Sequence, residues 1–440
     1  MRIIEEIPLR KAEFILFSGT FFLRAVYSLY YWFVADPPVT NAYYEIACQI
    51  LDQGKIFYDT SHPYYESVGP VMPLINALTM LVAGRNYLGL YIVTALASAL
   101  TTLYTYKLAR LLVDRSTALF AGLWSAFYLF YFFYTPTPGK DIWMAFFMVL
   151  LLYRLIRMVA LRDYSWPQFI IFSALFTVSF HLDERFFLFS PFIFLLVLKE
   201  ETCSFRFLRL TRSLAFAGIV ILLTVPWTIR NYNKHGRIVI ISTRTERFTD
   251  RFFGYEPRPH IMDPFNDTYG AFYIHDYQVD SVINGLKTVT DGGRTISASQ
   301  VAAMKKGIMP APLTGMQAAW SRLVTMFEPF QLRGRYERTG YFWYEKSLRH
   351  NIATFGFYGT LFLFSFPGFV FLVKKNRKVA LILISVIIIY ALVHALAIPY
   401  TNWRYRLPLD SLFIIAGCTG ITGLYHRYLN GNKQKPADAI

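Results

Sequence analysis

Apolar residues run along this chain in stretches of around twenty, separated by short polar segments and, once, by a long one. The runs lie near residues 12–34, 87–112, 117–135, 142–160, 166–183, 186–199, 213–230, 351–374, 378–398 and 406–426. A stretch of about twenty apolar residues coiled as a helix covers the roughly 30 Å of hydrocarbon in a bilayer. The pattern therefore predicts an all-α polytopic membrane protein with about ten transmembrane helices. The run at 186–199 is the shortest of the ten. A further apolar stretch, 71–82, starts after Gly69-Pro70, holds Pro73 and stops at Gly84. It is short for a spanning helix.

Charge decides the status of that stretch. If 71–82 does not cross, the basic clusters Lys107/Arg110/Arg115, Arg154/Arg157/Arg162, Arg206/Arg209/Arg212 and Lys374/Lys375/Arg377/Lys378 all fall on one side. Cytoplasmic segments collect Lys and Arg in this way. If it crossed, every later cluster would change side. We therefore expect 71–82 to lie at, or dip into, the outer face, with both termini cytoplasmic.

Composition agrees with this reading and narrows it. Hydrophobic residues make up 55% of the 440 residues and charged residues 16%, too apolar for a soluble globule. The net charge of +16 is then largely topological, and a nucleic-acid partner is not expected. The three cysteines, Cys48, Cys203 and Cys418, fall outside, inside and within the membrane respectively, so no disulfide framework is expected. The triplet Asn266-Asp267-Thr268 is a formal glycosylation sequon. The N-terminal run is long for a cleaved signal and reads as a signal anchor.

Two outer segments hold most of the candidate chemistry. The first, 35–70, is acidic, with Asp36, Glu45, Asp52, Asp59 and Glu66 against Lys55. Within it Tyr43, Ile46, Ala47, Ile50 and Leu51 recur at helical spacing, while Glu45, Gln49 and Asp52 face the other way. Gly54 supplies a stop. This predicts an amphipathic helix lying in the membrane interface. The second, 231–350, is polar enough to fold in water, with helices expected at 297–307 and 315–327. It forms an extracytoplasmic loop domain between an N-terminal membrane module, 1–230, and C-terminal membrane helices, 351–440. At the junction stand Pro226-Trp227-Thr228-Ile229-Arg230-Asn231-Tyr232, then Gly236 and Ile240-Ile241-Ser242. A guanidinium at a helix exit can fork to two oxygens, so Arg230 is a candidate ligand for a lipid-borne phosphate.

Taken in order, these features resemble the C-type superfamily of integral-membrane glycosyltransferases, in particular the family 39 group that includes protein O-mannosyltransferases and the lipid A aminoarabinose transferase. The resemblance is carried by Arg24, the Tyr43-Tyr44 to Ala47 to Leu51 helix, the Pro70 to Pro73 turn and Asp141. It continues through Arg185 with Pro191, the Pro226 to Tyr232 exit with Gly236 and Ser242, and Arg404-Tyr405-Arg406-Leu407-Pro408. It implies transfer of a sugar from a polyprenyl-phosphate carrier to a glycan, lipid or protein acceptor on the outer face, with inversion and a carboxylate base. No cofactor or metal is expected. A bacterial inner membrane is the implied setting, with membrane lipids as neighbours.

The family's first-loop carboxylate position holds Val39 here, so the resemblance points to Asp36 as base, with Asp141 and Glu66 orienting the acceptor or replacing it. Arg230, Arg185, Arg404, Arg406 and Arg24 are the candidates for holding the donor phosphate. Each has a plainer alternative. Asp36 can be a solvated acid at a helix exit, and Asp141 can favour a helix N-terminus. Arg24 can pair with an inward-facing acid. Arg185 can belong to an interfacial cluster with Asp183 and Glu184, to which His181 adds no recognised metal-binding spacing. Arg230, Arg404 and Arg406 can be interfacial anchors. A non-catalytic carrier or flippase of lipid-linked sugars, or a relative that binds donor without turnover, is the alternative function.

Overall fold

The structure is a computed structural model that describes residues 8–34, 42–55, 68–161, 163, 165–190, 206–242, 352–397 and 403–433. It also describes short stretches at 288–291, 294–297, 319–320, 323–324, 326–327, 336–338 and 343–345. Among the described residues the chain folds into helices α1 (Leu9–Val34), α2 (Ala42–Gln53), α3 (Val71–Ala83), α4 (Tyr87–Leu112), α5 (Arg115–Phe127), α6 (Leu129–Tyr134), α7 (Asp141–Leu161) and α8 (Trp166–Leu182). A 3-10 turn, Glu184–Phe189, and α9 (Arg206–His235) follow. After them come α10 (Thr360–Lys375), α11 (Arg377–Ala397), a 3-10 turn at Trp403–Arg406 and α12 (Leu407–Lys433). Seven described helices are long and apolar enough to cross a membrane, and they coincide with seven of the ten runs.

The other three runs each have an account. The run at 166–183 forms α8, an apolar helix of 17 residues. The run at 117–135 is not one helix: it breaks at Tyr128 into α5 and α6. The run at 186–199 begins in the 3-10 turn, and its remainder lies outside the described residues.

Two compact units divide the chain. The first comprises Met1–Arg247, Thr360–Tyr390 and Tyr405–Ile440. At its centre α4, α7 and α12 are the most enclosed helices, with α1 against α4 and α5, and α8 against α7 and α9. Helices α10 and α12 touch backbone to backbone: a Cβ on Gly368 would stand 1.8 Å from the Ala416 carbonyl oxygen, and one on Gly420 2.0 Å from that of Phe364. Without a hydrophobic drive between helices in lipid, such close approach of small residues is what holds them. Cys48 and Cys418 are free thiols.

The amphipathic helix expected in the first outer segment is present as α2. Its apolar face puts Ile46, Ala47 and Ile50 into a cluster with Val68, Ala77, Met80, Leu90 and Trp227. Tyr44 stacks on Tyr87 with ring centroids 4.3 Å apart. Gly54 ends the helix at φ 62°, a left-handed conformation that glycine adopts without steric cost. Helix α3, of 13 residues, is too short to span about 30 Å, and Leu78, Leu81 and Val82 stand exposed on it.

The second unit, Phe248–Gly359 with Ala391–Arg404, contains two antiparallel pairs among its described residues: β1 (Thr288–Asp291) with β2 (Arg294–Ser297), and β3 (Tyr336–Arg338) with β4 (Trp343–Glu345). The sequence reading anticipated neither pair, although Gly292-Gly293 between two short Thr-rich stretches is a hairpin signal. The helix expected at 297–307 lies outside the described residues apart from Ser297, which ends β2, and most of the one expected at 315–327 lies outside them too.

Candidate active site

The site is built where the turn after α6 meets the end of α8. That turn, Thr135-Pro136-Thr137-Pro138-Gly139-Lys140, is pinned from two helices. Thr94 on α4 donates to the Thr137 carbonyl at 3.3 Å, and the Asn76 amide on α3 donates to that of Pro138 at 3.2 Å. Two prolines prevent the turn from continuing the helix, and Lys140 and Asp141 are delivered into the interior, where both side chains are buried.

Opposite them, α8 ends at Leu182, and Asp183 accepts from the Arg185 backbone N–H at 3.0 Å, opening the 3-10 turn. The same carboxylate grips the Arg185 guanidinium in a fork, Nε to Oδ1 at 2.7 Å and Nη2 to Oδ2 at 2.9 Å. Lys140 Nζ donates to Asp183 Oδ2 from the facing turn. One acid and two cations thus meet in a buried triad, with the buried Asp141 carboxylate next to Lys140 in the chain. Burial pushes the Asp183 carboxyl toward its neutral form, but Arg185 and Lys140 outweigh it and hold the group well below the usual carboxylate range. Burial works likewise against the Arg185 charge, and Asp183 with the neighbouring tyrosines overcomes it and raises the guanidinium above its ordinary value.

Arg185 lies between two aromatic rings, its guanidinium carbon 5.7 Å from the centroid of Tyr390 and 5.3 Å from that of Tyr405. Arg185 also touches Met144 on α7, three residues after Asp141, so the buried Asp141 carboxylate stands close to the same cluster. Arg185 Nη1 is an enclosed donor that makes no hydrogen bond among the described residues. An anionic oxygen is the acceptor such a group is built to take.

Directly inward of the triad the walls turn apolar. Met148, Leu151, Leu152, Leu155, Phe172, Phe176, Phe189 and Val386 line a groove. Arg185 Nη2 contacts Met144 Sδ at 3.2 Å, and Met148 follows Met144 by one turn of α7. Phe189 follows Arg185 by four residues, and Val386 precedes Tyr390 by four. Each element that carries a residue at the triad therefore meets apolar surface about one turn away.

The junction after α9 folds as a strap beside this site. Gly236 turns the chain at φ 67°, and residues 238–242 run back along the last turns of α9. Trp227 Nε1 donates to the Ile241 carbonyl at 2.7 Å, and the Asn231 amide donates to Val239 and Ile241 at 3.0 and 3.1 Å. Val239 and Ile241 face inward while Ile238 and Ile240 stand exposed. At the strap's end Ser242 donates to Glu184 Oε1 at 2.6 Å, beside Arg185.

The candidates read from the sequence separate on this geometry. Asp141 and Arg185 are brought together. Arg230 lies over the Trp227 ring at 4.8 Å and donates to Asn231 Oδ1 at 2.8 Å, on the end of α9 against which the strap runs. Arg404 lies in the 3-10 turn Trp403–Arg406 and is half-buried. Arg406 is fully enclosed, paired with Asp410 at 2.7 Å and over the Phe130 ring at 5.1 Å. Arg24 is fully enclosed too and engages backbone carbonyls rather than the inward-facing acid that was one alternative. Asp36 and Glu66 lie outside the described residues. Sequence reasoning placed Asp183 only in an interfacial cluster and missed its bridge to Lys140, as well as Tyr390 and Tyr405. No three His, Cys, Asp or Glu side chains among the described residues are arranged to hold a metal ion.

Comparison with known proteins decides the architecture. The Archaeoglobus fulgidus oligosaccharyltransferase in its apo form superposes on 97% of this chain with a TM-score of 0.54 at 13% identity. The fold is that of the C-type membrane glycosyltransferases. ArnT from Cupriavidus metallidurans, solved with bound undecaprenyl phosphate, matches 91% of this chain with a TM-score of 0.52 at 14% identity. The same archaeal oligosaccharyltransferase, AglB, in complex with an inhibitory peptide and a dolichol-phosphate, matches 96% with a TM-score of 0.51 at 13% identity. The chain spans 53%, 60% and 52% of these three structures in the order given, a little over half their length. A family model described as dolichyl-phosphate-mannose-protein mannosyltransferase matches residues 61–229, which contain the turn, the triad and α3 to most of α9. Among curated proteins none matches the chain. The C-type resemblance read from the sequence thus holds at the level of fold and family model, in an integral membrane protein.

Proposed function

We propose that this C-type chain transfers a sugar from a polyprenyl-phosphate carrier to an acceptor at the extracytoplasmic face. The observation that carries the reading is a buried triad of Lys140, Asp183 and Arg185 with an unused guanidinium donor, set one helical turn from an apolar groove. Two of the structural neighbours were solved with a polyprenyl or dolichyl phosphate, which has this two-part chemistry.

In the proposed reaction the phosphate lies against Arg185 and Lys140 and the isoprenoid tail along Met148, Phe176 and Val386. The acceptor hydroxyl attacks the anomeric carbon from the side opposite the phosphate, so configuration inverts. A carboxylate takes the hydroxyl proton, the new C–O bond forms, and the bond to phosphate oxygen breaks. The leaving phosphate needs no proton because the two cations stabilise its charge. Asp183 is a poor base, since its carboxylate is held by both cations. Asp141 has the better position among the described carboxylates, and Asp36 and Glu66 are its rivals from the first outer segment. No cofactor is required. Basic clusters on one side of the spans support an orientation with cytoplasmic termini, and a bacterial inner membrane is the proposed setting.

The test is incubation of purified protein with radiolabelled undecaprenyl-phosphate sugars, comparing wild type with Arg185→Ala and Asp141→Asn. Turnover by wild type that collapses in both variants supports the assignment. Donor binding without turnover in wild type would make the protein a carrier, and absence of binding would overturn the reading.

A further inference from the structure

The apolar run 117–135 contains no proline or glycine between Ser125 and Tyr134, so nothing local requires it to stop. Yet α5 ends at Phe127, Tyr128 is extended at φ −64° and ψ 116°, and the helix restarts as α6. Where local breakers are lacking, a sharp break arises from a side chain inserted into the backbone ladder. Arg24 of α1 is that side chain. Its Nη2 donates to the Ala126 carbonyl at 2.8 Å and lies 3.3 and 3.4 Å from those of Ser125 and Tyr128. In an unbroken helix the Ser125 and Ala126 carbonyls would accept from the amides four residues later, Leu129 and Phe130.

Nε and Nη1 of Arg24 make no hydrogen bond among the described residues, and the guanidinium plane rests on an aromatic ring. Its carbon sits 3.5 Å from the centroid of the Phe132 ring on α6, and Arg24 forms no ion pair among the described residues. The negative end of the α5 dipole and the Ala126 carbonyl, which has lost its helical donor, stabilise the charge. The Ser125 carbonyl also accepts from the backbone N–H of Tyr128, and the Tyr128 carbonyl from those of Tyr131 and Phe132. The far side of α6 is fixed by the Tyr131 hydroxyl at 3.0 Å from Ser411 Oγ. Arg24 is fully buried and stands ten residues before the end of α1, about 15 Å along the axis at the helical rise, which separates it from any phosphate at the interface.

We propose that Arg24 is a positioning residue: by capping α5 it breaks the helix, redirects α6 and sets the turn from which Lys140 reaches Asp183. Its effect on transfer rests on the glycosyltransferase reading above, whereas the break itself does not.

The test uses full-length protein carrying Arg24→Met, Leu129→Pro or both. Leu129 is half-buried at the first position of α6, where proline is tolerated and biases the preceding residue to the extended conformation that Tyr128 already has. Proline there supplies a local break without any charge. Arg24→Met is expected to lower the melting temperature in detergent by about 5 °C. It should also lower kcat about tenfold or more, since a misplaced catalytic group has an effect of that order or larger, with KM for undecaprenyl-phosphate sugar within about twofold. Leu129→Pro alone should behave as wild type, and the double variant should regain at least half of both losses. A KM increase that the proline does not relieve would make Arg24 a phosphate ligand and overturn the proposal. So would a double variant melting no higher than Arg24→Met, or a Leu129→Pro variant as destabilised as Arg24→Met. If wild type transfers no sugar, the functional reading fails while the melting measurements still decide the break.

Discussion

Neutralising Asp183 tests the triad most directly. Asp183→Asn keeps shape and some hydrogen bonding but leaves Lys140 and Arg185 facing each other, with side chains only 9% and 12% exposed. Removing one partner of a buried ion pair costs about 3–5 kcal/mol, because the remaining charges lose their shared counter-ion. Two cations about 4 Å apart repel by roughly 4 kcal/mol at an effective dielectric of about 20, so the two estimates agree. That corresponds to roughly a hundred- to several-thousandfold loss in the folding equilibrium. The assay is thermal unfolding of detergent-purified protein for Asp183→Asn, Lys140→Met and both. Lys140→Met alone leaves the bidentate Asp183–Arg185 pair intact and should cost about 1–2 kcal/mol. The double variant should be more stable than Asp183→Asn alone, since the repulsion between the two cations is removed. The pH dependence has a definite sign. A carboxyl depressed in the folded state contributes stability that is fully present above its unfolded value near 3.8 and lost as pH falls through the folded value. Wild type should therefore keep this contribution from pH 5 to 8 and lose it only in stronger acid, and Asp183→Asn should lack it throughout. An Asp183→Asn protein melting within a degree of wild type, or strictly additive variants, would refute the reasoning.

Other predictions are shorter. Met148→Trp should fill the apolar groove and raise KM about tenfold for an undecaprenyl carrier but little for a short-chain one, because a bulky side chain displaces only the distal tail; equal effects on both would remove the groove from the binding site. Gly420→Ala places a Cβ 2.0 Å from the Phe364 carbonyl oxygen and should destabilise by about 3 kcal/mol or more, read as a loss of folded protein in size-exclusion profiles. Gly19→Ala, with open space around it, is the matched control and should behave as wild type. Asn231→Leu removes the amide that ties Val239 and Ile241 to α9, and protease cleavage near residues 236–242 should rise several-fold, consistent with a local stability loss of about 1–3 kcal/mol; unchanged cleavage would show that Trp227 alone holds the strap.

The membrane architecture was legible in the sequence to a useful degree. Seven runs became spanning-length helices, and α2 appeared with the apolar face that Ile46, Ala47 and Ile50 predicted. The break at Tyr128 was not legible, because its cause, Arg24, is about a hundred residues away. Among site residues, Asp141 and Arg185 were named from pattern and resemblance, yet Lys140, which bridges to Asp183 and through it to Arg185, was not among the candidates. The Asp410 partner of Arg406 lies one helical turn away, a spacing visible in the sequence but masked by the interfacial reading of Arg406.

What the sequence determined by itself was where the chain turns apolar for the length of a membrane helix, and where Gly54 and Gly84 end helices. These are local consequences of bilayer thickness, helical period and glycine's freedom at positive φ. What only the tertiary structure decided was which charges meet. The Lys140–Asp183 bridge joins residues 43 apart, and Arg24 reaches carbonyls more than a hundred residues away. Whether a buried cation serves an anionic ligand or a neighbouring backbone depends on what packs against it, and packing across helices leaves no periodic trace in either strand of sequence.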